Sequence, residues 1–176
     1  MMTSLLPMEL KPSETYADDL WYLRNTGIRE WKPGSGWKYY NRAPFQGEIV
    51  GGNLETLLAL AGTPYFPQTK GKVLIIEEAN AKQPLAVRRE IVQLKIMGVL
   101  DEITALVGGR FWGWSRCEED AFWNDITSTV LSDFHKPILT GLDFGHTDPM
   151  CTLPIGGWLK YDGNNLRVYR FPLESN

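Results

Sequence analysis

The chain has 176 residues, 43% of them hydrophobic, enough for one domain or one and a half with a sizeable buried core. Its 18 Lys and Arg against 21 Asp and Glu leave a net charge of −3 with no basic run, which excludes bulk electrostatic attraction to nucleic acid or an anionic membrane. Two cysteines, Cys117 and Cys151, are too few for a disulfide scaffold and lack zinc-type spacing; no stretch nears the ~18–20 apolar residues of a membrane span, and residues 1–10 lack a basic leader, so a cytoplasmic protein with free thiols is expected.

Ser13 is placed to cap a helix over residues 14–30, with Trp21, Leu23 and Ile28 as its apolar contacts and Gly27 weakening its last turn. Residues 32–36 read as a loop, and 37–41 and 47–50 as strands. Gly51-Gly52-Asn53 then makes a tight turn into a helix whose Leu54, Leu57, Leu58 and Ala61 recur at helical spacing. Gly62-Thr63-Pro64 ends it. Residues 72–76 form a β-branched apolar run, which reads as a buried parallel strand. Pro84 opens a helix with Val87, Ile91, Leu94 and Met97 as its stripe and Gly98 at its end. Residues 105–107 read as a strand running into Gly108-Gly109, 118–134 as a helix with acids in its first turn, and 137–142 as a strand. Residues 156–161 and 166–171 flank Asp162-Gly163-Asn164-Asn165, a hairpin signal.

The middle of the chain thus alternates strand and helix, which argues for parallel pairing, while both ends add antiparallel strands. The expectation is an α/β domain with a central parallel sheet plus a smaller antiparallel sheet, and no internal domain boundary. Seven Trp residues are many for this length; they fill the core or mark an interdomain or ligand surface.

Two places could carry chemistry. His146 lies just past a strand, between Gly145 and Pro149, and ligand and catalytic groups gather beyond the carboxyl ends of parallel strands. Glu77 and Glu78 end the strand 72–76 side by side; in extended geometry they point to different sides, so one of them faces a given site. A carboxylate beside a histidine orients the ring, fixes its tautomer and stabilises the imidazolium. On spacing alone the signal is weak, since a lone histidine and a lone glutamate on loops are more often structural. His135, next to Lys136, reads as a solvated residue at a helix end. Asp143, His146 and Asp148 have metal-ligating chemistry, but the turn and Pro149 restrict their convergence. Cys151, five residues past His146, pairs with it only as a thiolate and reads better as a packed thiol. None of the seven serines lies in a Gly-x-Ser-x-Gly elbow; Ser35 and Ser115 sit in loops without that pattern.

Several segments together resemble the LD-carboxypeptidase family of serine peptidases, which includes the microcin-C self-immunity peptidases. They are Gly51-Gly52-Asn53-Leu54, Gly62-Thr63-Pro64-Tyr65, the strand ending in Glu77-Glu78, Gln93-Leu94 with Gly98, and Phe144-Gly145-His146-Thr147-Asp148-Pro149 with Leu153-Pro154-Ile155-Gly156. Lys11-Pro12-Ser13 and the Trp-rich stretch to Tyr40 fit the lead-in, so the resemblance runs over about residues 10–168. It implies a single swivelling β/β/α domain, the C-terminal domain of that family, with the N-terminal nucleophile domain absent.

It also implies Glu77 and His146 as two members of a Ser-Glu-His triad, with Glu78 as the competing acid. The implied activity is cleavage of a muramoyl tetrapeptide or a related peptide amide, without metal or cofactor and with little activity from this chain alone. The implied partners are a serine-bearing N-terminal domain, a peptide substrate and a second copy in a homodimer. The other expectation is a standalone binding or dimerisation module that kept the fold.

Overall fold

The structure is a computed structural model that describes residues 7–19, 29–34, 36–79 and 83–170, with the side chain of Arg116 excepted. Its strands are β1 (Met8–Leu10), β2 (Thr15–Tyr16), β3 (Lys32–Pro33), β4 (Lys38–Tyr40), β5 (Phe45–Asn53), β6 (Val73–Glu77), β7 (Ala105–Arg110), β8 (Ile138–Gly145), β9 (Trp158–Tyr161) and β10 (Leu166–Tyr169). The helices are α1 (Leu54–Leu58), α2 (Pro84–Ile96), α3 (Val99–Glu102) and α4 (Arg116–Ser128). Strands β5, β6, β7 and β8 pair in parallel. The antiparallel strands extend this same sheet, in the order β1-β10-β9-β5-β6-β7-β8-β4, and β2 and β3 form a separate two-stranded ribbon.

Alternation along the central strands sends side chains to two cores. Leu74, Ile76 and Leu106 join the helix-side cluster with Leu54, Val87, Ile91, Leu94 and Trp123. Val73, Ile75, Ala105 and Val107 face the other way, into a cluster with Phe45, Leu142, Phe144, Leu159, Tyr161 and Leu166. No helix is needed to cover that second face, because the sheet curls. β9 and β4 are five strands apart in the sheet order, ~24 Å if the sheet were flat. Yet the rings of Tyr39 and Tyr161 lie 5.2 Å apart. The antiparallel arm therefore folds over the parallel strands and encloses the second core.

Three local expectations differ from the structure. Ser13 does not cap a helix: residues 15 and 16 are extended and pair with 33 and 32, and Ala17 bridges Asp148. Partners far along the chain outcompete the local helical preference there. Residues 20–28 of that expected helix lie outside the described residues. The Gly51-Gly52-Asn53 segment stays in β5, with φ of +118° and +142° at the two glycines, instead of leaving the sheet as a turn. A Cβ on Gly51 would sit 2.0 Å from the Ile75 carbonyl oxygen. The helix expected to end at residue 134 ends at Ser128, where the hydroxyls of Thr127, Ser128 and Thr129 bond back to carbonyls one turn earlier and compete with the helical pattern.

Of the described tryptophans, Trp114 and Trp123 are core residues, Trp31 is exposed beneath Arg29, and Trp112 donates its indole N–H to the Asp18 carbonyl. Among the described residues no helix is long and apolar enough to cross a membrane.

Candidate active site

Glu77 is the last residue of β6. It continues the face that carries Val73 and Ile75, and it is 5% exposed. Room for it is made by two glycines. A Cβ on Gly109 would come within 3.1 Å of the Glu77 Cβ, and one on Gly145 within 2.7 Å of Glu77 Oε2. Gly145 also has φ +106°, a conformation that side chains rarely adopt.

His146 follows directly. Its Nδ1 lies 2.7 Å from Glu77 Oε2, and about half of its side chain is exposed. A carboxylate only accepts, so Nδ1 carries the proton in the neutral ring and Nε2 keeps the lone pair. The pair joins positions 69 apart in sequence through the ends of two strands, β6 and β8, that β7 separates. Buried carboxylate, oriented imidazole and available Nε2 together are what a general base needs, short of a nucleophile.

Glu78 goes to the opposite side and does not touch His146. Its Oε1 accepts from Asn53 Nδ2 at 3.2 Å and from the Ala79 N–H at 2.9 Å, and its Oε2 accepts from the Glu55 N–H at 3.3 Å. Asn53 in turn caps α1, accepting from the Thr56 N–H. Glu78 thus ties the start of α1 to the end of β6.

The loop after β8 is held from several sides. Asp143 is buried and accepts from Arg110 Nε at 3.0 Å, from the Ser13 N–H at 2.9 Å and from Ser13 Oγ at 2.8 Å. Asp148 pairs with Arg29 at 2.6 Å and exchanges two 2.8 Å backbone bonds with Ala17. The carboxylates of Asp143 and Asp148 are therefore each paired with a cation, Arg110 and Arg29. Among the described residues no three His, Cys, Asp or Glu side chains gather as metal ligands.

Burial, with Asp143 nearby, pushes the Cys151 thiol up to about 11, which opposes a thiolate. Ser13 serves Asp143, Ser115 caps α4, Ser128 bonds to the Asn124 carbonyl within α4, and Ser132 bonds to the Thr129 carbonyl just past it. Ser4, Ser35 and Ser175 lie outside the described residues. His135 is exposed after the end of α4, at the opposite end of β8 from this pair. The pairing of Arg110 with Asp143 left one trace in the sequence, an arginine directly after two strand-end glycines.

Residues 46–160 match the model of the LD-carboxypeptidase C-terminal domain. The chain is 34% identical over 157 residues to YocD of Bacillus subtilis, named as a candidate carboxypeptidase, covering 89% of this chain and 47% of that protein. It is 30% identical over 131 residues to the microcin C7 self-immunity protein MccF of Escherichia coli, covering 74% and 38%. The crystal structure of an MccF-like protein from Bacillus anthracis superposes with a TM-score of 0.83 at 29% identity, covering 97% of this chain and 53% of that one. The chain spans about half the length of the relatives it matches.

Proposed function

Because the chain belongs to the LD-carboxypeptidase family, as its C-terminal domain, we propose that it supplies Glu77 and His146 to a Ser-Glu-His triad. The serine and the oxyanion-hole amides would come from an N-terminal domain, and the bond cleaved would be the amide of a peptidoglycan tetrapeptide or a related peptide. The observation that carries this reading is the 2.7 Å contact between a buried carboxylate and Nδ1 of a half-exposed imidazole, at the ends of two strands that flank β7.

In this reading the serine hydroxyl adds to the amide carbonyl while His146 Nε2 accepts its proton. Glu77 stabilises the imidazolium so formed and keeps the ring in one tautomer. Nε2 then returns the proton to the departing amine, leaving an acyl-serine that water cleaves by the same proton relay. Glu77 and His146 move the proton, and the oxyanion's stabilisation, the largest electrostatic contribution in such reactions, would come from the N-terminal domain. Met150 and Ile155, exposed by 61% and 62% on the segment after His146, offer apolar contact to a covering domain.

The purified chain is expected to release no D-Ala from a muramoyl tetrapeptide. Mixing it with the serine-bearing N-terminal half of a full-length relative should restore turnover. His146→Ala in that mixture should lower kcat by ~10³-fold or more. D-Ala release by the chain alone, or a reconstituted H146A enzyme as fast as the parent, would overturn the proposal. A chain acting only as a binding or dimerisation module would give no turnover in any mixture.

A further inference from the structure

The strand that delivers His146 is irregular where it matters. Along β7 and β8 the partners run Leu106 with Ile138 and Val107 with Leu139, then Gly109 with Leu142 and Arg110 with Gly145. One step on β7, from 109 to 110, is matched by three on β8, from 142 to 145. Asp143 and Phe144 are therefore the surplus residues of a bulge. Bulges next to functional sites re-aim the side chain that follows. Without this one, the residue opposite Arg110 would be Asp143, and His146 would lie three residues past that last pair instead of one, displaced from Glu77.

The bulge is fastened by its own carboxylate. Asp143 Oδ1 receives Arg110 Nε and Ser13 Oγ, and Oδ2 receives the Ser13 N–H. Its carbonyl takes the Cys151 N–H at 2.6 Å. Arg110 is 3% exposed and its guanidinium lies 4.6 Å from the ring centre of Tyr16. Among the described residues its Nη2 is buried with no hydrogen-bond partner. An unmade bond on a buried cation is costly, and a structure fastened only for stability would complete it.

We propose that Arg110 is a positioning residue for His146: through Asp143 it holds the bulge of β8 that places the imidazole against Glu77. Its hydrogen bond and ion pair go to Asp143, and none joins it to the imidazole or to Glu77. This rests on the reading of Glu77 and His146 as the reacting pair.

The test uses the full chain alone, labelled with ¹⁵N in its two histidines. In the parent, His146 should show one dominant tautomer with the proton on Nδ1 and a strongly downfield Nδ1–H signal, absent in Glu77→Gln. His135, exposed and remote, is the internal control. Arg110→Gln should abolish the downfield signal and mix the tautomers of His146 alone, and Arg110→Lys should recover part of it.

Should R110Q fail to fold, Ser13→Ala removes one donor to the same carboxylate from the accessible side and should weaken the signal. A folded R110Q, or failing that a folded S13A, with parental His146 signals would overturn the proposal. In the reconstituted enzyme R110Q should lower kcat by ~10²-fold with KM little changed. If the reconstituted parent has no activity while R110Q still disorders the ring, the triad reading fails and the positioning role stands.

Discussion

At the scale of single residues, the site depends on what is missing as much as on what is present. Gly145 is needed twice, for its φ of +106° and because a Cβ there would meet the Glu77 carboxylate oxygen at 2.7 Å and its Cβ and Cγ at 3.0 Å. Gly145→Ala should cost ~1–3 kcal/mol in urea unfolding and erase the Nδ1–H signal of His146; a variant as stable as the parent with that signal intact would refute the account.

A second residue-scale effect concerns the hairpin tip. The N–H groups of Asn165 and Asn164, helped by Arg167, hold the Asp162 carboxyl down at about 2, below its usual 3.8. A carboxyl with a depressed folded value stabilises the fold above its unfolded value and loses that contribution as pH falls through the folded one. Asp162→Ala should therefore show its full drop in Tm at neutral pH, a shrinking one below about pH 4, and only a remnant near pH 2 that vanishes below it. A drop in Tm that stays constant across that range would contradict the assignment.

At the scale of elements, strand alternation separates two adjacent acids. Val73, Ile75 and Glu77 share one face of β6, and Leu74, Ile76 and Glu78 the other. One carboxylate reaches His146 and its neighbour braces α1, with no overlap of roles. Alternation was readable from the sequence, but which face held the site was not, because that depends on which side the helices pack. Helix α4 shows a signal that was present and unread. Ser115 accepts from the Glu118 N–H and Glu118 accepts from the Ser115 N–H at 2.7 Å, a reciprocal cap. Ser115→Ala should cost about 1 kcal/mol in urea unfolding; an unchanged midpoint would show that the cap is idle.

At the scale of the whole molecule, one sheet serves two cores. The helix-side cluster draws on α1, α2, α3 and α4, and the second is closed by the curl that brings Tyr39 of β4 to Tyr161 of β9. Each central strand contributes to both clusters, so neither can melt without exposing the other. The chain alone should unfold in a single transition, with calorimetric and van't Hoff enthalpies equal within error. Two resolved transitions would mean that the antiparallel arm is an independent unit.

By itself the sequence determined the parallel strands at the middle, the hairpin at Asp162–Asn165, the helix opened by Pro84, and the two positions, 77 and 146, at strand ends. Those are local matters of apolar period, turn chemistry and capping, and nearby residues decide them. The tertiary structure alone decided that residues 15–17 are extended, that the antiparallel strands curl over the parallel ones, and that Glu77 and not Glu78 meets the imidazole. It also decided the bulge at Asp143–Phe144 and its fastening by Arg110 and Ser13. The physical reason is common to all of these. Each is fixed by hydrogen bonds and packing between residues 16 to 131 positions apart, whose energies exceed the local preferences that a sequence displays.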